Sequence, residues 1–303
     1  MPELLRLRTA EKAALAGFAL LMASFLPAGG TMAEDLPQAL PDPSRLVTIG
    51  GSLTEIVFAL GEEKRLVGRD STSTYPPEAA EIPDVGYMRQ LAPEGVLSVA
   101  PTGIIALHGS GPPEAMDVLG NGGIPLVVVP ESYDRDGILR KIRFVGAALG
   151  SPAKAEELAE RVGREIDTAE ALTQGVAERK RVLFILSMQG GRILASGTGT
   201  AADGVIEMAG GVNAIDSFAG YKKVSEEAVI QAQPDVILMM DRGGEHGASG
   251  EDFFAHPAIA PTPAGQSRTL VRMDGSYLLG FGPRTAAAVR DLAAALYPTP
   301  PAN

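Results

Sequence analysis

From residue 45 onward, short uninterrupted apolar runs alternate with longer stretches of helical periodicity. Leu46-Val47-Thr48-Ile49 has the length and uniform apolarity of a buried strand. Gly50-Gly51-Ser52 then reads as a turn, and 54–60 as a helix closed by Gly61. Further strands are expected at 66–68, 103–107, 126–129, 182–186, 236–240 and 270–271. Strands separated by helices in this way predict an α/β fold with mainly parallel sheets.

The longest helical pattern follows Gly150. Ser151 is placed to cap it, Pro152 suits its first turn, and 153–179 is rich in Ala, Glu, Leu and Arg. Leu158, Val162, Ile166, Ala169 and Leu172 recur at helical spacing and predict a half-buried stripe, with Gly163 and Gly175 as local weak points. A long helix halfway along, flanked by strand-rich segments, predicts two Rossmann-like lobes joined by that helix, with a ligand cleft between them. The expected divisions are a loose leader over 34–44, an N-terminal lobe over 45–150, a linking helix over 151–179 and a C-terminal lobe over 180–303.

A weak internal repeat points the same way. Glu94-Gly95-Val96 followed by Pro101-Thr102-Gly103-Ile104-Ile105 matches Glu227-Ala228-Val229 followed by Pro234-Asp235-Val236-Ile237-Leu238. In both, a helix that begins with Glu runs into a proline and then a buried strand. A second echo pairs Ala59-Leu60-Gly61 with Met208-Ala209-Gly210.

The first residues change the picture by fixing a compartment. Arg6, Arg8 and Lys12 precede a run over 13–27 that is apolar except for Ser24, and small residues lead to Thr31-Met32-Ala33 before Glu34-Asp35. This is the pattern of a secretory signal cleaved after Ala33. The run is shorter than the roughly 20 residues that span a bilayer. Cysteine is absent from the sequence, which excludes disulfides, thiolate metal sites and a lipid-modified cysteine. Cleavage removes three of the 26 basic and two of the 37 acidic residues, leaving 23 against 35. So acidic a chain is unsuited to nucleic acid or to anionic lipid surfaces. A soluble periplasmic monomer is expected.

The stretch 45–298 resembles the periplasmic haem-binding proteins of bacterial haem-uptake ABC transporters. These sit within the helix-spined binding proteins that also carry cobalamin and ferric siderophores. Gly51-Ser52-Leu53-Thr54-Glu55, the repeats and the central helix carry the class resemblance. The narrower likeness rests on Asp84-Val85-Gly86-Tyr87-Met88-Arg89-Gln90-Leu91 and on Leu279-Gly280-Phe281-Gly282-Pro283-Arg284. The resemblance implies haem b as transported ligand, with Tyr87 as axial ligand of its iron and Arg89 as that ligand's partner. Phenolate oxygen is a hard anionic donor suited to ferric iron. A free phenol titrates near 10, so a phenolate ligand needs help at neutral pH. Arg89, two residues on, falls on the same side of an extended loop, where its charge and a hydrogen bond would supply that help. A Tyr-x-Arg pair taken alone is more often an ordinary surface feature.

Four further residues are weighed as ligand contacts. Arg242 follows strand 236–240 and by resemblance reaches Tyr87 or a haem propionate. Tyr75 is a candidate for the porphyrin face or a turn-stabilising aromatic; Tyr277 and Phe281 for an apolar wall or simple core. The resemblance also implies that Glu94 and Glu227, one per lobe, dock onto basic residues of the membrane permease, and that an outer-membrane haem receptor acts upstream; helix-start stability is their plainer reading. Some relatives take a second iron ligand from the other lobe. The corresponding segment here reads as a loop, Ser187-Met188-Gln189-Gly190-Gly191, without histidine; Met188 is a soft donor for ferric iron. His108, His246 and His256 are isolated, and His246 in its Gly-rich segment is the remaining alternative donor.

Two other readings compete. The same fold could carry cobalamin or a ferric siderophore, leaving Tyr87 and Arg89 incidental. A haem-dependent enzyme or a hydrolase is opposed by the lack of a Gly-x-Ser-x-Gly elbow, a cysteine nucleophile or a His-Glu-x-x-His motif. Gly197-Thr198-Gly199-Thr200 lacks the lysine of a phosphate-binding loop.

Overall fold

The computed structural model describes residues 36–241 and 250–298. The predicted signal segment and its cleavage point lie outside the described residues. Strands β1 (Leu46–Ile49), β2 (Leu66–Arg69), β3 (Gly103–Leu107) and β4 (Leu126–Val129) form one sheet in the order β2-β1-β3-β4, with every pairing parallel. Helices α1 (Gly51–Ala59), α2 (Pro93–Leu97) and α3 (Pro113–Asn121) make its crossovers. Central β1 is buried along its whole length, which is why its sequence is an uninterrupted apolar run rather than an alternation. Helices α4 (Arg135–Ala148) and α5 (Pro152–Ala171) then lead to the second sheet.

That sheet is mixed. It comprises β5 (Arg181–Gln189), β6 (Arg192–Ser196), β7 (Val212–Asn213), β8 (Tyr221–Val224), β9 (Val236–Asp241) and β10 (Leu270–Asp274). Its order is β10-β9-β5-β6-β8, with β7 pairing β5. The β10-β9-β5 part is parallel, while β6 runs antiparallel to both β5 and β8. The segment expected as a loop at 187–191 is therefore the end of β5 and a tight hairpin. Gly190 and Gly191 have φ of 55° and 73°, the left-handed pair that a two-residue hairpin turn needs. Around this sheet lie α6 (Ala201–Met208), α7 (Glu226–Ala232), α8 (Glu251–Phe254), α9 (Pro263–Ser267), α10 (Gly275–Leu279) and α11 (Thr285–Leu296).

The sequence repeat has a structural counterpart. Helix α2 feeds β3 as α7 feeds β9, and β1-β3-β4 are neighbours in the same parallel order as β5-β9-β10. The second echo marks equivalent helix ends, α1 before Gly61 (φ 69°) and α6 before Gly210 (φ 79°).

Helix α5 stops at Ala171, short of the expected 179. Thr173 and Gly175 are poor helix formers, and Arg179 instead donates to the carbonyls of Gly210 (3.0 Å) and Gly211, tying the turn to the α6–β7 connection. Leu172, past the helix end, is half exposed rather than part of the buried stripe. Ser151 does not cap; its hydroxyl donates to Glu62 Oε1 at 3.0 Å. Gly163 is an adaptation to close packing, since a side-chain carbon there would lie 3.1 Å from Arg135 Nη2 and 3.4 Å from Leu139 Cδ1 of α4. The leader is anchored rather than loose. Leu40 is buried, and its N–H donates to the Ala148 carbonyl at 2.8 Å.

Strand side chains alternate between clusters. Val47 and Ile49 join an outer cluster with Val85, Met88, Leu91 and Val96. Leu183 and Ile185 join a second with Val229, Ile237 and Phe253. Between the sheets, Leu46, Ile105, Ile142, Val162, Phe184, Val205, Leu238 and Phe281 belong to one continuous core spanning both lobes. Burying apolar surface across the junction couples the lobes, because separating them would return it to water.

Candidate functional site

The carboxyl ends of parallel strands are where an α/β sheet presents loops to a ligand. Here they carry the segments after β2, β3, β4 and β10. The Tyr87 loop is fixed by every third residue: Val85, Met88 and Leu91 are buried, while Tyr87, Arg89 and Gln90 are exposed. Gly86, at φ 113°, turns its carbonyl to accept from Ser71 N (2.9 Å) while its own N–H donates to Asp84 Oδ1 (2.8 Å). Arg69 holds Asp84 at 3.0 Å. Downstream, Gly111 N donates to the Met88 carbonyl and Leu91 N to the Gly111 carbonyl, both at 2.9 Å. Tyr87 thus stands 40 % exposed on a braced loop, and Arg89 Nη1 donates to its Oη at 3.3 Å.

Two phenols absent from the sequence reading lie within reach of the same arginine. Burial raises the pKa of Tyr133, and the charge of Glu131 adds to this, while Arg89 opposes it. Burial likewise raises Tyr221, against the Thr200 hydroxyl, the Ala202 backbone and again Arg89. Tyr133 comes from the first lobe, in the loop before α4; Tyr221 comes from the second, at the start of β8. Tyr133 packs edge-on against Phe281 with ring centroids 5.2 Å apart. Tyr133 follows the predicted strand at 126–129, and that strand-end position is the signal that could have marked it. Tyr221 gives no such signal, because β8 reads Tyr-Lys-Lys-Val.

The two motif segments of the chain, 51–55 and 280–284, meet around a buried lysine. Lys141, on α4, is fully buried; its Nζ lies 2.5 Å from Glu131 Oε1, 2.9 Å from the Phe281 carbonyl and 3.3 Å from Ser52 Oγ. Burial pulls Lys141 down and pushes Glu131 up, and each partner's charge opposes the other's shift. Beside them, Arg284 Nη2 donates to buried Glu55 Oε1 at 2.6 Å. Burial raises Glu55, and the hydrogen bond and charge of Arg284 oppose this. Gly282 is tight against α1: a side-chain carbon there would lie 3.2 Å from Ser52 Cβ. Gly51-Ser52-Leu53-Thr54-Glu55 and Gly280-Phe281-Gly282-Pro283-Arg284 are thus the two halves of one lobe junction. Lys141 left a trace in the sequence, a charge on the stripe with Ile138, Ile142 and Val145.

Tyr75 and Tyr277 gather at this junction. The Arg284 guanidinium lies 3.6 Å from the Tyr75 ring centroid and 5.4 Å from that of Tyr277. Tyr277 Oη donates to Asp291 Oδ2 at 2.8 Å, and burial, this bond and the Asp291 charge push its pKa to about 12. Tyr277 is therefore committed to side-chain partners rather than to an open apolar wall, and Phe281 is buried core. Tyr75 remains 41 % exposed.

Met188 is partly buried against the apolar cluster that holds Leu183, Ile185 and Phe253. His108 is exposed at the end of β3, and its charge bears on Glu131. His256 is a turn residue whose Nδ1 accepts from Ala258 N at 3.2 Å. Arg242 and His246 lie outside the described residues. Glu94 and Glu227 are exposed at the starts of α2 and α7. Backbone and Ser225 hydrogen bonds hold the Glu227 carboxyl below its usual range. Among the described residues no group of three or more His, Asp and Glu could hold a metal ion, and no helix is long and apolar enough to cross a membrane. A groove of 360 Å³ between α4 and α5, lined by Arg135, Leu139, Arg143 and Gly163 among others, includes none of the predicted site residues.

The family profile described as "Periplasmic binding protein" matches residues 46–277. Among solved structures, the chain is similar to the periplasmic heme-binding protein RhuT from Roseiflexus sp. RS-1, at 40 % identity and a TM-score of 0.80, over 84 % of this chain and 98 % of that one. It is also similar to the periplasmic heme-binding protein BhuT in complex with two hemes, at 38 % identity and a TM-score of 0.78, over 83 % of this chain and 97 % of that one. Among curated proteins it is 29 % identical to the vitamin B12-binding protein of Salmonella typhimurium, over 69 % of this chain and 77 % of that protein. It is 24 % identical to the uncharacterized ABC transporter substrate-binding lipoprotein YvrC of Bacillus subtilis, over 85 % of this chain and 81 % of that protein.

Proposed function

The chain belongs to the periplasmic binding protein family, and from that premise we propose that it captures haem in the cleft between its lobes and delivers it to the permease of an ABC importer. The observation that carries this reading is Tyr87, exposed on a braced loop with Arg89 hydrogen-bonded to its oxygen at 3.3 Å. A phenolate there is a hard donor for the ferric iron of haem b, and the guanidinium balances its charge. Similarity to heme-binding RhuT and BhuT supports the same ligand. Tyr75 offers an exposed ring to the porphyrin, Tyr277 acts indirectly by flanking Arg284, and Arg242 belongs to the same reading as a propionate partner. Hemin added to the protein gives a ferric high-spin, tyrosinate-type absorption spectrum that disappears in Tyr87→Ala. An unchanged spectrum in that variant overturns the assignment.

A second cargo is supported by the vitamin B12-binding relatives. Competitive titration of hemin against cobalamin separates the two, and preference for cobalamin refutes the haem reading.

Glu94 and Glu227 occupy equivalent places in the two lobes and are assigned to permease docking, where paired rim charges set register. Reversing both, Glu94→Lys with Glu227→Lys, lowers uptake through the reconstituted transporter by at least about tenfold and leaves hemin affinity in solution unchanged. Undiminished uptake refutes docking through these residues. Residues 1–33 direct export in this reading, so the exported protein begins at Glu34; an intact-mass measurement that retains 1–33 contradicts it.

A further inference from the structure

Among the described residues, three tyrosines stand exposed: Tyr75 at 41 %, Tyr87 at 40 % and Tyr221 at 37 %. The first two stand on loops of the first lobe. Tyr221 alone belongs to the second lobe, on regular structure, where β8 pairs β6 with Tyr221 opposite Ser196. Its ring meets Phe184 edge-on, with centroids 6.3 Å apart and planes at 60°, so it sits on the face of the sheet that turns toward the core shared by the lobes.

From there it looks across to the first lobe. Helix α6, whose first turn lies beside the Tyr221 hydroxyl, packs so closely on Tyr133 that a side-chain carbon at Gly204 would overlap the Tyr133 carbonyl oxygen. Tyr133 in turn stacks on Phe281. The guanidinium that donates to Tyr87 also acts electrostatically on Tyr221, and the two exposed phenols come from different lobes. A strand residue braced by a buried phenylalanine is a rigid platform, and a large ring held open to solvent recovers apolar burial only when something flat covers it.

Resting on the haem reading, we infer that Tyr221 is the second lobe's contact for the ligand, its ring packing on the macrocycle from the wall opposite Tyr87 and its hydroxyl staying off the iron. Burial makes its phenol a reluctant anion, and a neutral phenol is a poor partner for ferric iron but a good apolar surface. Cobalamin or a siderophore would meet the same ring without the iron geometry that Tyr87 imposes.

The test is hemin titration of the whole mature protein and of Tyr221→Ala, Tyr221→Leu, Tyr221→Phe and Tyr87→Ala, with thermal melting to confirm folding. Tyr221→Ala weakens hemin binding about tenfold, as expected for losing one stacked ring, and keeps the tyrosinate-type spectrum. Tyr221→Phe stays within about threefold of the parent because the ring survives; Tyr221→Leu falls between and stands in if the alanine variant does not fold. Unchanged affinity in both Tyr221→Ala and Tyr221→Leu overturns the inference. So does a loss in Tyr221→Phe equal to that in Tyr221→Ala, or disappearance of the tyrosinate band on changing Tyr221. Failure of the parent protein to bind hemin at all refutes instead the haem reading on which the inference rests.

Discussion

Arg89 and Arg284 both meet tyrosines, and their surroundings differ in kind. Arg89 reaches Tyr87 through a single 3.3 Å hydrogen bond at a loop surface, with both side chains exposed. Arg284 is held on every side: Glu55 at 2.6 Å beneath it, Tyr75 3.6 Å from its guanidinium and Tyr277 at 5.4 Å. The first pair stands open on a rigid support; the second is packed into the junction of the lobes. A ligand-binding group needs the former condition, because a donor already satisfied by protein would have to break those contacts to bind. The same two residue types therefore serve recognition in one place and architecture in the other, and the number of partners tells them apart.

That distinction breaks most visibly under alanine substitution. Arg284→Ala leaves the buried Glu55 carboxylate without its partner and lowers the unfolding free energy by roughly 3 kcal/mol, the lower end for a broken buried pair because Lys141 still compensates part of the charge. Denaturant titration measures it, and adding Glu55→Gln should restore part of the loss. The corresponding cut, Arg89→Ala, moves stability by less than about 0.5 kcal/mol, as for an exposed side chain, while altering the hemin spectrum. Equal losses at both sites would mean that the Arg89 loop is itself structural and that the contrast is false.

How much of this could be read from the sequence follows from the range of the interactions involved. Strands such as β1 and β3 announce themselves because burial on both faces forces a local apolar run. The Tyr87–Arg89 pair was legible from its spacing of two residues, although a turn closed by Gln90 N on the Tyr87 carbonyl at 2.8 Å, rather than an extended segment, brings the side chains together. Two matching helix-proline-strand stretches, 94–105 and 227–238, give away the duplicated β1-β3-β4 and β5-β9-β10 arrangement. Long-range pairings were not legible. Glu55 and Arg284 are 229 residues apart and Lys141 is 140 from Phe281, so no local pattern connects them, and the Arg284 guanidinium beside Tyr75 and Tyr277 was equally out of sight. The hairpin at Gly190-Gly191 was missed for a different reason: its second strand, β6, is five residues long with only Ile193-Leu194-Ala195 apolar, too short a run to announce an antiparallel partner.

The smallest effect, and the finest probe of the committed cluster, lies at Tyr277. Its phenol titrates at about 12 in the folded chain, pushed up by burial and by the hydrogen bond and charge of Asp291, against about 10 when unfolded. Between those values the folded state binds a proton that the unfolded state has released, so stability falls as pH rises through this window and the contribution is fully present below pH 10. Because the group is only partly buried and solvent screens it, the gain at neutral pH is modest, at most about 1 kcal/mol for the hydrogen bond. Tyr277→Phe should therefore cost little at pH 7, flatten the alkaline loss of stability, and remove an ionisation step near pH 12 from the absorbance titration at the phenolate band. Tyr87, on the exposed side of the comparison, offers the control: Tyr87→Phe leaves that step in place. If the step near pH 12 survives Tyr277→Phe, the phenol is not held by Asp291 as described, and Arg284 loses one of the two rings that define it as a structural rather than a recognising arginine.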